Sequence, residues 1–398
     1  MTTGAPRRST TSSGHSSLTA PDARRLAAAI GSRLPKSPRY PITHLDFLVT
    51  TDCNHECDYC FYGRQTPQTM TTDVIERSVA FLVRESGPQA ELGLLLFGGE
   101  PLCAWDESCH TVERCIAWGT QTGKRISLDM TTNGSLLTEE RARWLARNGV
   151  KYLLSLDGLR PTHDAHRKRR DGASSFDSSA PLLPMLKRYQ PWQGTRITVH
   201  PDQGGLLPDN VRGLHELGIN QFLIGAATGL HWEDDQLEAY AAGLRAVARF
   251  VRERREQGGH IRWTMLEDDP TRPLGYAKGQ WGCGAGRSRA CISPEGEIHG
   301  CARLLAVPAA RERYRLGDVW SGITRRDARA ELASEDTSRR VECATCELAD
   351  DCMGGCPATN MESTGGIFGP DPLGCWCARN SASLRRELGV GECGGDEL

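Results

Sequence analysis

Three cysteines stand close together in "TTDCNHECDYCFYG" (Thr50 to Gly63), with three and then two residues between Cys53, Cys57 and Cys60. Thiolates bind metal, and the ligand count separates the candidates. A structural zinc takes four protein ligands in a closed tetrahedron. A cubane [4Fe–4S] cluster has four irons, so three thiolates hold it and leave one iron open to a substrate or cofactor. Nine further cysteines crowd residues 283 to 377, among them Cys343-x2-Cys346-x5-Cys352-x3-Cys356. Taken alone, the C-x2-C there would suit a zinc ribbon or knuckle equally well.

The composition narrows the setting. The chain has 398 residues, 38% of them hydrophobic, enough for two or three domains with sizeable cores. A formal charge of −2 argues against a surface built wholesale for nucleic acid or anionic membrane. No apolar run reaches the ~18 residues of a membrane span. Residues 1–40 read as a disordered basic tail, with seven Lys/Arg against one Asp and no apolar signal core. Sixteen cysteines without a secretion signal point to the reducing cytoplasm, where such clusters bind metal more often than they form disulfides.

Ligands of this kind need a scaffold that presents several loops at one end. Strand signals at 45–51, 92–97, 125–132, 151–158, 195–201 and 219–226 alternate with helix signals at 73–86, 107–121, 138–149, 179–189, 207–218 and 234–258. Alternation of this kind requires parallel strands joined by right-handed crossovers. Six units are too few for a complete eight-stranded barrel. The expected fold class is α/β: a partial (β/α)6 barrel over 41–260, then a small Cys-rich, loop-rich domain over 261–378. A C-terminal helix and Gly-rich tail over 379–398 follow.

The polar motifs fall at the C-terminal ends of strands, where parallel α/β folds carry function. The cysteine triplet follows the first strand, "FGGEP" (Phe97 to Pro101) the second, "TTNG" (Thr131 to Gly134) the third and "SLDG" (Ser155 to Gly158) the fourth. Singly, each is ordinary turn punctuation. In this order, with Tyr59 ahead of the third cysteine, the sequence resembles the radical S-adenosylmethionine (SAM) enzymes over roughly residues 45–230.

Carried over residue by residue, the resemblance implies that Cys53, Cys57 and Cys60 ligate a SAM-binding [4Fe–4S] cluster and that Tyr59 lies against the adenine. Gly98, Gly99 and Glu100 would receive the SAM amino group, and Asn133 would shape the pocket. Ser155, and Arg167 in "HDAHRKRRD", match the positions that hold ribose and carboxylate. The C-terminal cysteines resemble the SPASM extension of the family, which holds two auxiliary [4Fe–4S] clusters. The implied ligands are Cys283, Cys291, Cys301 and Cys356 for the first, and Cys343, Cys346, Cys352 and Cys375 for the second, with Cys377 as an alternative to Cys375. Cys103, Cys109 and Cys115 are expected as buried free thiols, and Cys393 as no ligand. His55 and His299 read as loop fillers or hydrogen-bond donors. Asp157 and Asp164 read as turn or capping groups, and no catalytic residue is assigned.

The implied chemistry is radical. An electron from the reduced first cluster cleaves SAM to methionine and a 5′-deoxyadenosyl radical, which takes hydrogen from an unactivated C–H bond, and auxiliary clusters can accept the substrate's electron. SPASM relatives act mostly on ribosomally made peptides. The expected substrate is therefore a precursor peptide, cross-linked by net two-electron oxidation, with a flavodoxin- or ferredoxin-type electron donor. Many such enzymes begin with a leader-binding domain larger than the forty-four residues ahead of the first strand here. Leader recognition would then fall to a separate leader-peptide-binding protein or another surface. The alternative is a dehydrogenase or epimerase acting on a small molecule such as an aminoglycoside. An iron–sulfur scaffold or carrier would leave the open triplet and Arg167 without purpose. Sulfatase-maturing relatives carry an Asp directly after the cysteine equivalent to Cys301. Ala302 stands here, which argues against formylglycine formation.

Overall fold

A computed structural model describes residues 40–63, 65–267, 281–352 and 354–388. The basic tail up to residue 39 and the stretch containing Cys393 lie outside them. Six strands form the expected units: β1 (His44–Thr50), β2 (Glu91–Gly98), β3 (Arg125–Thr132), β4 (Val150–Leu154), β5 (Gly194–Val199) and β6 (Gln221–Ala226). They pair in chain order and all in parallel. A short β7 (Arg262–Trp263) extends the sheet beyond β6. The run Leu45 to Val49 is buried throughout, as a strand covered on both faces requires.

The helices between them follow local signals. Thr71 caps α1 (Thr72–Glu85) by accepting from the Val74 N–H, and Gly123, at φ 71°, ends α2 (Trp105–Thr122) in the left-handed region. Thr138 caps α3 (Glu139–Arg147). A short α4 (Arg160–His166) follows β4, and α5 (Leu207–Glu216) and α6 (Asp234–Glu256) complete the outer layer. The helix expected over 179–189 is broken into a 3-10 turn at Ala180–Leu182 and a single turn at Leu183–Leu186. Pro181 and Pro184 remove the N–H groups that a continuous helix would need.

The C-terminal region continues the same sheet. β8 (Arg289–Ile292) pairs in parallel with β1, and β9 (Glu297–His299), β10 (Arg315–Asp318) and β11 (Gly322–Ile323) extend it antiparallel. The edge of β1, which would otherwise present unpaired backbone groups, is thereby covered. An ion pair from Arg289 to the buried Asp46, at 2.9 Å, fastens β8 to β1. Two further helices close the chain, α7 (Pro357–Thr364) and α8 (Pro372–Glu387). Among the described residues no helix is long and apolar enough to cross a membrane.

Phe47 and Leu94 on adjacent strands, with Phe222 on β6, are fully buried in one continuous core. Phe47→Ala is expected to cost about 3–5 kcal/mol, read as a lower denaturant midpoint of the anaerobic protein. A midpoint unchanged from wild type would mean that β1 is not the buried strand described.

Candidate active site

A cavity of ≈1420 Å³ opens at the C-terminal ends of the strands and runs down the barrel axis. Every residue expected to hold the first cluster or SAM lines it: the thiols of Cys53, Cys57 and Cys60, and Tyr59, Gly98, Gly99, Glu100, Asn133, Ser155 and Arg167. Strand order explains the convergence, because each motif leaves the tip of a neighbouring parallel strand.

The two glycines of "FGGEP" serve the scaffold. A Cβ on Gly98 would lie 2.3 Å from the Thr50 carbonyl oxygen, and one on Gly99 would lie 2.1 Å from that of Asp52. Their absence lets the Gly99 N–H donate to Thr50 and the Glu100 N–H to Asp52, at 2.9 and 2.8 Å. β2's exit thus clamps the chain just ahead of Cys53. Glu100 is 1% exposed, and its carboxylate accepts from the Leu102 N–H, the Thr132 hydroxyl and the Asn133 N–H at 2.7 to 3.0 Å. Among the described residues no cation pairs with it, and burial pushes its pKa up. The Asn133 amide in turn donates to the Asn54 side chain, tying "TTNG" to the cysteine loop.

On the opposite side the loop is held by Arg167. His55–Cys57 and Arg167–Arg169 form a two-stranded antiparallel pair in which Cys57 faces Arg167. The guanidinium donates to both carboxylate oxygens of Asp157, at 2.7 and 3.2 Å, with both residues buried. Asp157 also accepts from the Thr198 N–H at 2.8 Å and from the Tyr59 hydroxyl. Arg167 lies over the Tyr59 ring, 5.4 Å from its centroid. Asp157 is therefore the partner of Arg167, beyond the turn or capping role expected of it. Nothing in "SLDG" signals a partner ten residues on. Asp164 does behave as expected, accepting from Ser174, Ser175 and the Phe176 N–H.

Three thiols suit a cubane cluster with one iron left open, whereas a closed structural zinc site takes four ligands. A tetrahedral zinc, with bonds of about 2.3 Å, needs its thiolates about 3.8 Å apart. Among the described residues the one group of three or more ligand atoms within 4.8 Å of one another is His166, His200 and Asp202, so no three thiols stand that close. Burial pushes Cys53 up to about 12 and Cys57 up to about 11, the latter against the opposing charge of Arg167. His55 lines the cavity with neither ring nitrogen hydrogen-bonded, and burial lowers its pKa to about 3, so it is neutral.

Cys103, Cys109 and Cys115 depart from the expectation of three buried thiols. Cys115 is buried, Cys109 is half-buried and Cys103 is exposed. Cys103 belongs to the 3-10 turn Pro101–Ala104 on the rim beside Cys53, outside the cavity lining, instead of on the inner face of α2.

The later cysteines fall into two neighbourhoods. Cys283, Cys301 and Cys356 each feel another's charge, and Cys291, fully buried on β8, neighbours Cys301. Cys375 lies by Cys352, Cys343 and Cys346. Cys377, two residues further along α8, faces away from them toward Asp371 and Tyr240. His299 is buried and contacts Glu297 at 3.2 Å, away from any thiol contact.

Residues 47–204 match the Radical SAM superfamily. The chain carries a radical SAM domain. It is 26% identical over 340 residues, 81% of each chain, to a serine-type anaerobic sulfatase-maturating enzyme of Klebsiella aerogenes. The structure of anSMEcpe with bound AdoMet and the Kp18Cys peptide shares the fold at TM-score 0.72 and 18% identity, covering 87% of this chain and 98% of that one. Streptococcus suis SuiB bound to its precursor peptide SuiA shares it at TM-score 0.59 and 16% identity, over 92% and 84%. A radical SAM domain implies SAM and one [4Fe–4S] cluster. Removing the Arg167 counter-charge by Asp157→Asn should lower stability by about 3–5 kcal/mol, in denaturation of the anaerobic protein, whereas Asp164→Asn should cost less. Equal, small effects would show that Arg167 does not depend on Asp157.

Proposed function

We propose that this radical SAM enzyme modifies a ribosomally made precursor peptide by net two-electron oxidation, forming a cross-link, with two auxiliary [4Fe–4S] clusters as electron acceptors. The observation that carries the reading is the open thiol triplet sharing one cavity with a buried carboxylate on one side and a braced guanidinium on the other. Bound together, cluster and SAM supply a radical that takes hydrogen from an unactivated C–H bond. The chain's own residues do the positioning. Glu100, buried without a cation, is the acceptor for the SAM ammonium. Arg167, fixed in orientation by Asp157, offers its remaining donors to the SAM carboxylate. Ser155 holds the ribose, and the Tyr59 ring, anchored through its hydroxyl, lies against the adenine.

Several features favour a peptide over a small molecule. The cavity exceeds the usual ~300–1,000 Å³ of ligand pockets, leaving room beyond SAM. Relatives that mature sulfatases or bind a precursor peptide share the sequence or fold. Ala302 packs in an apolar cluster with Leu48, Cys291 and Leu305, bordered by Tyr62 and Phe97. No carboxylate at that position takes a proton for formylglycine formation. The neighbourhoods of the later cysteines support Cys283, Cys291, Cys301 and Cys356 as one ligand set, and Cys343, Cys346, Cys352 and Cys375 as the other. A flavodoxin- or ferredoxin-type donor would reduce the first cluster in the cytoplasm, and a separate leader-peptide-binding protein would present the substrate.

Two experiments test the reading. Anaerobically reconstituted protein should hold three clusters, and replacing Cys53, Cys57 and Cys60 together by Ala should remove about one third of the iron and abolish SAM cleavage. SAM cleavage that survives in this variant would refute the active cluster. Incubated with peptides encoded beside its gene, the enzyme should produce one that is lighter by about two hydrogens, with one SAM consumed per event. Unchanged mass with deuterium taken up from solvent would mean epimerisation instead, and formylglycine on a sulfatase peptide would overturn the role given to Ala302.

A further inference from the structure

Five arginines line the barrel cavity: Arg167, Arg196, Arg262, Arg289 and Arg303. Four have a carboxylate partner, namely Asp157, Glu267, Asp46 and Glu362 in that order. Arg196, on β5, has neither an ion pair nor a side-chain hydrogen bond among the described residues. Its side chain is exposed, and what it is exposed to is the lumen.

The seat for this guanidinium is built into the next strand. A Cβ on Gly225 of β6 would lie 2.9 Å from the Arg196 Nη2. Gly225 is not among the glycines with positive φ, so its backbone does not call for glycine. The missing side chain makes room for the arginine. Although open to the lumen, the guanidinium is enclosed by the barrel walls, and this desolvation lowers the Arg196 pKa.

Depth along the strand separates Arg196 from the residues assigned to SAM. Arg196 and Thr198 share the lumenal face of β5, and the Thr198 N–H holds Asp157. Two residues of strand span about 7 Å, so Arg196 enters the lumen about 7 Å below the level of the Asp157–Arg167 pair. A planar guanidinium with free donors in an enclosed site fits a carboxylate by a two-pronged contact. We propose that Arg196 is the receptor for a carboxylate of the substrate, an acidic side chain or the C-terminus of the peptide, inserted below SAM. The assignment rests on the peptide reading above for the source of that carboxylate.

The test uses glutarate as the probe and the reconstituted wild-type protein saturated with SAM under anaerobic conditions. Phenylglyoxal modifies accessible guanidinium groups, and peptide mapping by mass spectrometry follows Arg196 separately from Arg262. Glutarate should slow labelling of Arg196 at least fivefold, glutaramide should not, and Arg262 should be unaffected by either. Equal labelling with glutarate and glutaramide would overturn the proposal. Full protection by SAM alone, lost with decarboxylated SAM, would also overturn it, because the carboxylate would then be that of SAM. Labelling is read without any peptide product, so its failure leaves the mass test of peptide oxidation standing, and the reverse holds too.

Discussion

The buried ion pair between Asp157 and Arg167 is the constraint on which the rest of the site depends. Asp157 sits in the loop after β4, takes a backbone N–H from β5 and the hydroxyl of Tyr59 from the cysteine loop, and neutralises Arg167. Arg167 in turn lies on the short strand that pairs with Cys57. One carboxylate therefore fixes the relative positions of two barrel strands, one cluster thiol and the arginine that faces the cavity. A charge pair taken this far out of water is tolerable because every oxygen of the carboxylate is hydrogen-bonded.

Glu100 holds the other flank by different means. It has three hydrogen bonds and, among the described residues, no ion pair, with Arg141 acting on its charge only from a distance. Asp157 is already balanced by an arginine, whereas Glu100 stands ready to be balanced by an incoming ammonium. On the proposed reading, the asymmetry would orient a zwitterionic ligand with its ammonium toward β2 and its carboxylate toward β4. The clamp of Gly98 and Gly99 on the chain around Asp52 keeps the triplet level with both acids.

How much of this was legible in the sequence follows from the range of each interaction. The alternation of strand and helix, and the placement of "FGGEP", "TTNG" and "SLDG" at strand tips, are local patterns, and they mark out the cavity. The glycine pair was legible as a close approach, but the surface approached is β1's exit, which no local pattern reveals. Asp157 and Arg167 are ten residues apart with a helix between them, and the Cys57–Arg167 pairing joins the segments that follow the first and fourth strands. Neither leaves a trace in composition or periodicity. The proline-interrupted helix expected over 179–189 is divided for a local reason, since Pro181 and Pro184 outweigh an otherwise apolar period. Arg196 gave no signal at all, because a single arginine in a strand is informative only once its neighbours prove to be paired and its seat proves to be a glycine.

The placement of the later cysteines follows from the same sheet. β8 pairs in parallel with β1, with Cys291 opposite Asp46, and β1 ends at the loop that carries Cys53. Cys291 and the triplet are thus at two heights of adjoining strands in one hydrogen-bonded framework. Their separation is set by strand register, which cannot slip without turning the buried Asp46 and Leu45 to opposite faces. Ala302, packed against Leu48 of β1, belongs to the same seam. An acidic residue there would be buried among apolar side chains, and its charge would need a partner that Leu48, Cys291 and Leu305 do not supply. The apolar seam between β1 and the C-terminal region is thus a poor seat for an acid, in keeping with the Ala302 found there.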